Sequence, residues 1–347
     1  MDGLARQRPL AIKGRLSPPL RGTAVAAPSA AADWHLVLVR LPGWQSHEDW
    51  VAIARHVTDI EPRIAPFVVR GDLPHSVLRR QAARRPSLIF SPGRLRHFKP
   101  LRGRTYQGGP IAKLEQLQRL AGAGVPVPKT ALLTPDLRLD PSEWGEFVIV
   151  KPSDLAISSF GLGIQLMRTE RAHFKRPAEY PPDHPGRRAP MLVQQFIDTG
   201  ERVALYRVLT LFGEPLYAIR DRAVEPRVDL GAADEEIERI VVASQAVGKD
   251  ERKLVADPDV IALARAAHAA IPEVPLKGCD ILREANTGAL YLLEVNAGGN
   301  TWHFSSNHLA AHRRANGPEF ERRRREQFDA LRTAARVLAD KTRAEAE

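Results

Sequence analysis

A single cysteine, Cys279, stands in 347 residues. It cannot close an internal disulfide, and it excludes every multi-cysteine metal ribbon or iron–sulfur site. No apolar run approaches the roughly 18 residues that a membrane span needs, and no compact apolar stretch precedes a cleavage site near the N-terminus. A soluble, cytoplasmic protein is expected. Internal repeats are also missing, so solenoid architectures are set aside. What is present is ordinary globular material: 44% apolar and 27% charged residues suffice for two or three packed units at typical domain size.

The net charge of +10 is unevenly spread. Residues 1–109 carry +11, residues 110–310 carry −4 and residues 311–347 carry +3. A basic front around a mildly acidic centre suits attraction of an acidic ligand or a polyanion, and suits equally the solvated surface of an Arg-rich chain.

Residues 1–32 mix Pro, Ala and Arg without a period, as a disordered leader does. From Asp33 the texture changes. HLVLVR (35–40), APFVVR (65–70) and SLIFSP (87–92) read as buried strands, with helices over 46–60 and 75–85 between them. Ser46 with Asp49 has the spacing of a capping box. Strands alternating with helices predict a small parallel α/β domain over 33–109, because parallel neighbours need a crossover; residues 94–109 read as a basic connecting loop. Pro110 opens a helix, followed by strands at 131–134, 147–152, 164–168 and 191–197. Hairpins are expected over 204–222, turning at Gly213, and over 278–296, turning at residues 286–288. Residues 223–275 read as mainly helical, and the stretch from Pro318 to the C-terminus as one charged helix with Phe320, Phe328, Leu331 and Leu338 on a docking face.

Four pieces in order carry the chemistry. FVIVKP sets Lys151 at the end of an apolar strand, and Lys113 lies in the helix before it; only 10 of the 51 basic residues are lysines. Each is a candidate phosphate cation, or a surface lysine at an element end. SSFGLG, residues 158–163, lets backbone amides approach phosphate oxygens, and reads equally as a ligand-free Ser/Gly hairpin. MLVQQFI leads to Asp198, Gly200 and Glu201, where backbone atoms can meet adenine and Glu201 can accept from ribose; alone it is a core strand with a polar turn. In CDILREANTGALYLLEVN, Asp280 on one strand converges with Glu294 and Asn296 on the next, which share a face because side chains alternate. Three hard oxygen donors suit Mg2+ when substrate phosphates and water complete its shell. A buried Glu294 without a cation would be costly.

Together these pieces resemble the ATP-grasp superfamily, most closely the glutathione synthetase and RimK-type carboxylate-amine ligases, from about Pro110 to Asn300. The resemblance implies an α+β ATP-grasp unit over 110–310, preceded by the α/β domain at 33–109 and followed by the charged helix at 311–347. It implies ATP and Mg2+, with Mn2+ as the alternative ion. Lys113 and Lys151 would meet the ATP phosphates, Ser159, Gly161 and Gly163 would cover them, and Gln194, Gln195, Phe196 and Ile197 would form the adenine hinge. Glu201 falls at the ribose position, Asp280, Glu294 and Asn296 at the metal, and Arg207 and Arg220 facing the γ-phosphate and the reaction intermediate. Asn300 and His303 are candidates for the acceptor pocket, although His303 reads equally as a plain hydrogen-bonding residue.

The implied activity is joining a carboxylate to an amine through an acylphosphate, with small-molecule or peptide co-substrates. After Asn296 the chain reads AGGNTWHFSSN, where such ligases often carry Asn-Ser-Pro-Gly, which leaves the substrate open. A kinase that stops at phosphorylation and a nucleotide-regulated polyanion-binding protein stay as alternatives. A nucleic-acid partner is disfavoured, no membrane partner is expected, and the oligomeric state is open.

Overall fold

HLVLVR and its two companion runs do become neighbours in a parallel sheet. In a computed structural model, which describes residues 32–74, 77–153, 163–239 and 250–347, β1 (Trp34–Arg40), α1 (His47–Ile60), β2 (Ile64–Arg70), α2 (Val77–Ala82), β3 (Ser87–Ser91) and β4 (Arg104–Gln107) follow one another. The strand order is β2-β1-β3-β4 and every pairing is parallel. The fourth strand corrects the expected loop at 94–109. Its sequence, RTYQ, lies on an edge and buries little, so it lacks the apolar signal of its neighbours. The leader up to residue 31 and the start of the 75–85 helix lie outside the described residues.

Ser46 caps α1, its Oγ accepting from Asp49 N at 3.1 Å. The second half of the expected box does not form. Instead the buried carboxylate of Asp49 accepts from Trp302 Nε1 at 2.8 Å, Ser305 Oγ at 2.7 Å and Arg325 Nη1 at 2.8 Å. Helix α1 is thereby tied to segments some 250 residues later.

A second, antiparallel sheet follows α3 (Lys113–Gly122), with β5 (Thr130–Leu132), α4 (Pro141–Trp144), β6 (Phe147–Pro152), β7 (Gln165–Arg168) and β8 (Met191–Gln195). Its order is β5-β8-β6-β7. The third sheet comprises β9 (Ala204–Leu211), β10 (Glu214–Ala223), β11 (Asp250–Leu254), β12 (Leu276–Arg283) and β13 (Leu290–Asn296), in the order β11-β10-β9-β12-β13 with antiparallel neighbours. Between β10 and β12 the expectation of mainly helix needs correction. Among the described residues that stretch holds the four-residue α5 (Asp234–Ile237), the strand β11 and one longer helix, α6 (Pro258–Ala270). DERKL in β11 is a polar edge strand, without the alternation that marks half-buried ones.

The two faces of this third sheet differ. Cross-strand partners share a face, so Arg207, Leu209 and Leu211 align with Ile219, Tyr217, Asp280 and Leu276. That face packs against Trp50, Ile53, Leu36 and Leu38 of the first sheet's layer. On the other face, Tyr206, Val208, Ala218, Cys279 and Ile281 meet α3 and α6. Cys279 is an inert core residue there, its thiol pushed up to about 12 by burial.

The C-terminal stretch is two helices rather than one, α7 (Ala310–Glu326) and α8 (Ala330–Glu345), parted at Asp329, which adopts φ 45°. Ala334, Ala335 and Leu338 of α8 are buried against the same core as α1, β1 and β3. Phe320 and Leu331 pack on that core as well, and Phe328 on the opposite one. No described helix is long and apolar enough to cross a membrane.

Candidate functional site

Two strand ends and one helix start converge at the edge of the third sheet. Lys151, next to last in β6, is buried, and its Nζ donates to Gln194 Oε1 at 2.8 Å. Gln194 in turn donates from Nε2 to Thr130 Oγ1 at 2.8 Å. Lys113 opens α3, is also buried, and sets its Nζ 4.0 Å from Glu294 Oε2. Burial, and then the neighbouring Lys113 charge, bring Lys151 down to about 8, against a smaller pull upward from Glu294. The charged form is therefore less favoured than in water, and an anion beside it would favour it.

Asp280 and Glu294 are direct cross-strand partners, and Asn296 follows two residues on. Asn296 Nδ2 reaches Asp280 Oδ2 at 3.2 Å and Glu294 Oε1 at 3.4 Å. Arg207, from β9 on the other side of β12, grips Asp280 with both arms, Nε to Oδ1 at 2.6 Å and Nη2 to Oδ2 at 2.7 Å. Burial raises Asp280 to about 6, although Arg207 opposes it. Glu294 is also pushed up by burial, but Lys113, Lys151 and Arg207 outweigh that and leave it lowered. Two carboxylates on neighbouring strands, one of them reluctant to ionise, form the kind of donor set that a divalent cation relieves. The residues thus fit such an ion, with two carboxylates and one amide. Among the described residues no group of three or more His, Cys, Asp or Glu side chains stands at metal-holding range.

The segment after Asn296 folds back over the same face. Gly278, register partner of Asn296, has Thr301 Cγ2, Asn296 Cβ and His303 Cε1 within 3.3–3.7 Å of where a side chain would begin. Only the Thr301 methyl would be crowded by a Cβ there; His303, alongside, is buried and hydrogen-bonded through Nδ1 to Tyr217 Oη. Burial, then Arg207 and Arg324, depress His303 far below its ordinary range, so it is neutral at pH 7. Gly108 clamps this segment from the first sheet. A Cβ there would meet Pro92 O at 2.0 Å and Ala297 O at 2.6 Å.

The expected site residues therefore separate into groups. Lys113, Lys151, Gln194, Arg207, Asp280, Glu294 and Asn296 come together, with His303 beside them and the half-buried Asn300 on the same segment. At the hinge, Gln195 N donates to Lys129 O at 2.8 Å, Phe196 packs edge-on to Phe147, and Ile197 is buried. Gly163 has φ 70°, a left-handed value that favours glycine. Ser159 and Gly161 lie outside the described residues. Arg220 and Glu201 do not join the cluster. Arg220 is the partner of Tyr206, on the opposite face from Arg207, and both Arg220 and Glu201 line a separate cleft. Adjacent strands of a hairpin carry residues on both faces, and a resemblance transfers residue types without their register. Asp49, Tyr217 and Arg324 went unread. Tyr217 could not be placed by counting alternation from Arg207 across the Gly213 turn, because the register shifts by one residue between Pro215 and Tyr217.

The protein is an α/β protein with a buried site of mixed charge on one sheet face. No protein-family model matches the chain, and no curated protein matches it. Among solved structures it is similar to the ATP-grasp ligase PsnB complexed with a phosphomimetic variant of a minimal precursor, Mg and ADP, at 15% identity and TM-score 0.49, over 90% of this chain and 99% of that one. It is also similar to D-cycloserine synthetase DcsG, at 17% identity and TM-score 0.45, over 84% and 99%. The D-alanine–D-alanine ligase from Bacillus anthracis gives 12% identity and TM-score 0.41, over 89% and 99%.

Proposed function

We propose that the protein is an ATP-dependent ligase of the ATP-grasp kind, which joins a carboxylate to an amine and releases ADP and phosphate. One observation carries this reading: two buried lysines from different elements, Lys113 and Lys151, face the Asp280–Glu294–Asn296 trio within a single cluster. Buried cations beside paired carboxylates suit a polyphosphate with its counter-ion better than they suit a structural role, since an uncompensated buried charge is costly. Asp280, Glu294 and Asn296 would hold Mg2+, which neutralises phosphate charge when bound.

In this reading Lys151 and Lys113 bind the phosphates, and Gln194 keeps Lys151 aimed without neutralising it. Backbone groups at 195–197 meet adenine. Arg207 fixes Asp280 and supplies positive charge where the transferred phosphoryl group lies. The substrate carboxylate attacks the γ-phosphorus, the bond to the β-phosphate oxygen breaks, and the amine then displaces phosphate from the acyl carbon. His303, neutral and held by Tyr217, borders the acceptor side with Asn300.

The test is ADP release with Mg2+ across amino acids, short peptides and polyamines, in wild type and in Lys151→Ala. Turnover is expected only when an acid and an amine are both supplied, and is expected to vanish in the variant. Turnover with a single substrate that leaves a stable phosphoester would replace the ligase reading by a kinase. No stimulation by any pair, or an unaffected variant, would remove it.

A further inference from the structure

On the face of the third sheet away from the Lys151–Glu294 cluster lies a cleft of about 520 Å³. Its wall carries four arginines: Arg202 from the loop that follows the hinge, Arg220 and Arg222 from β10, and Arg283 from β12. Arg283 is engaged, donating from Nη2 to Asp257 Oδ2 at 2.7 Å and lying 5.8 Å from the centre of the Tyr206 ring. Arg202, Arg220 and Arg222 form no ion pair among the described residues. Glu251, the register partner of Arg222, turns to Lys253 at 3.9 Å.

Two carboxylates also line the cleft. Glu284 is committed to its own turn, accepting from Thr287 N at 2.6 Å. The carboxylate of Glu201 accepts nothing among the described residues.

Three arginines without an ion partner among the described residues line one half-buried wall, and an anion in the cleft would be attracted by all three. Guanidinium forks suit carboxylate and phosphate oxygens in pairs. The cleft falls within the roughly 300–1,000 Å³ typical of small-molecule sites. We infer that it is a second ligand site, separate from the nucleotide cluster, for a small molecule bearing two or more oxyanion charges. Arg220, on this face beside Tyr206 and with no ion pair among the described residues, is what points to it. The site does not depend on the ligase reading.

Calorimetric titration of the full chain with tripolyphosphate and with citrate tests it. Binding of at least one probe is expected, and the stronger of the two tells phosphate from carboxylate recognition. Arg202→Gln/Arg222→Gln is expected to weaken that binding about tenfold or more, while the affinity for a Mg2+–nucleotide analogue is unchanged and circular dichroism shows the variant folded. Arg80→Gln/Arg138→Gln, two exposed arginines elsewhere, controls for general charge loss. No binding of either probe up to about 10 mM, or equal weakening in the two double variants, would overturn the inference. So would loss of probe binding in Lys151→Ala, since the anion would then sit in the nucleotide cluster.

Discussion

Lys151 and Gln194, on neighbouring strands β6 and β8, meet Nζ to Oε1 at 2.8 Å with both side chains buried. A neutral amide orients the ammonium but leaves its charge for something else. A carboxylate in the same place would have raised the lysine's proton affinity and cancelled its field.

Gln194→Leu should therefore act on binding as well as on stability. A hydrogen bond to a charged group contributes about 1.5–3 kcal/mol, and the buried ammonium would lose its amide acceptor. We expect a loss of this order in urea unfolding and about tenfold weaker binding of a Mg2+–nucleotide analogue by calorimetry. Unchanged nucleotide affinity would show that Lys151 is not at the phosphates.

The lowered proton affinity of Lys151 gives binding and stability opposite pH slopes. In the folded chain it titrates near 8, against an ordinary 10.5. Nucleotide affinity should fall as pH rises from about 7 through 8, with proton uptake on binding above that point. Lys151→Arg should flatten the profile, because guanidinium keeps its charge. Between 8 and 10.5 the unfolded chain binds more protons than the folded one, so stability rises with pH in that window. Lys277, also brought down to about 8 by burial, adds to stability in the same sense. Measured affinity that rises with pH across this range would contradict the assignment.

Much of the architecture was legible because apolar runs are. HLVLVR, FVIVKP and MLVQQFI became strands within a residue or two of their expected limits. RTYQ and DERKL did not reveal themselves, since an edge strand gains its pairing from backbone groups and shows no apolar face. Asp280, Glu294 and Asn296 were expected on one face from period-two alternation, which is local, and they do lie side by side. Arg220 faces away from that cluster because the register shifts by one residue between Pro215 and Tyr217, a bulge that strict alternation does not reveal. The break at Asp329 left no glycine or proline to mark it.

The bidentate Arg207–Asp280 pair is buried on both sides, so its two halves should fail together. Removing one partner of such a pair typically costs about 3–5 kcal/mol, because the other charge is left uncompensated. Asp280→Ala and Arg207→Ala are each expected to lose about that much in urea unfolding. Arg207→Leu with Asp280→Leu should recover much of the stability, yet should not restore binding of the Mg2+–nucleotide analogue. A double variant that loses the sum of the two single effects would mean that the residues do not interact.

Asp49 is placed to hold the segment after Asn296 from a distance. Its carboxylate takes Trp302, Ser305 and Arg325 at 2.7–2.8 Å, and Trp302 stacks edge-on to Trp50 with centroids 4.8 Å apart. Asp49→Ala would strand the buried indole N–H and the Arg325 guanidinium together, at roughly 3 kcal/mol or more. Ser46→Ala removes only the cap of α1, roughly 1 kcal/mol. The two variants separate a loss of helix from a loss of tether. Trp302 emission, isolated by difference against Trp302→Phe, is expected to shift red and become more quenchable in Asp49→Ala alone. In the proposed ligase, the same variant should raise KM for the amine co-substrate several-fold while the nucleotide Kd stays put, since 300–307 lies on the acceptor side and the lysines are fixed by other elements. Equal weakening of both substrates would mean that Asp49 supports the whole fold rather than that segment.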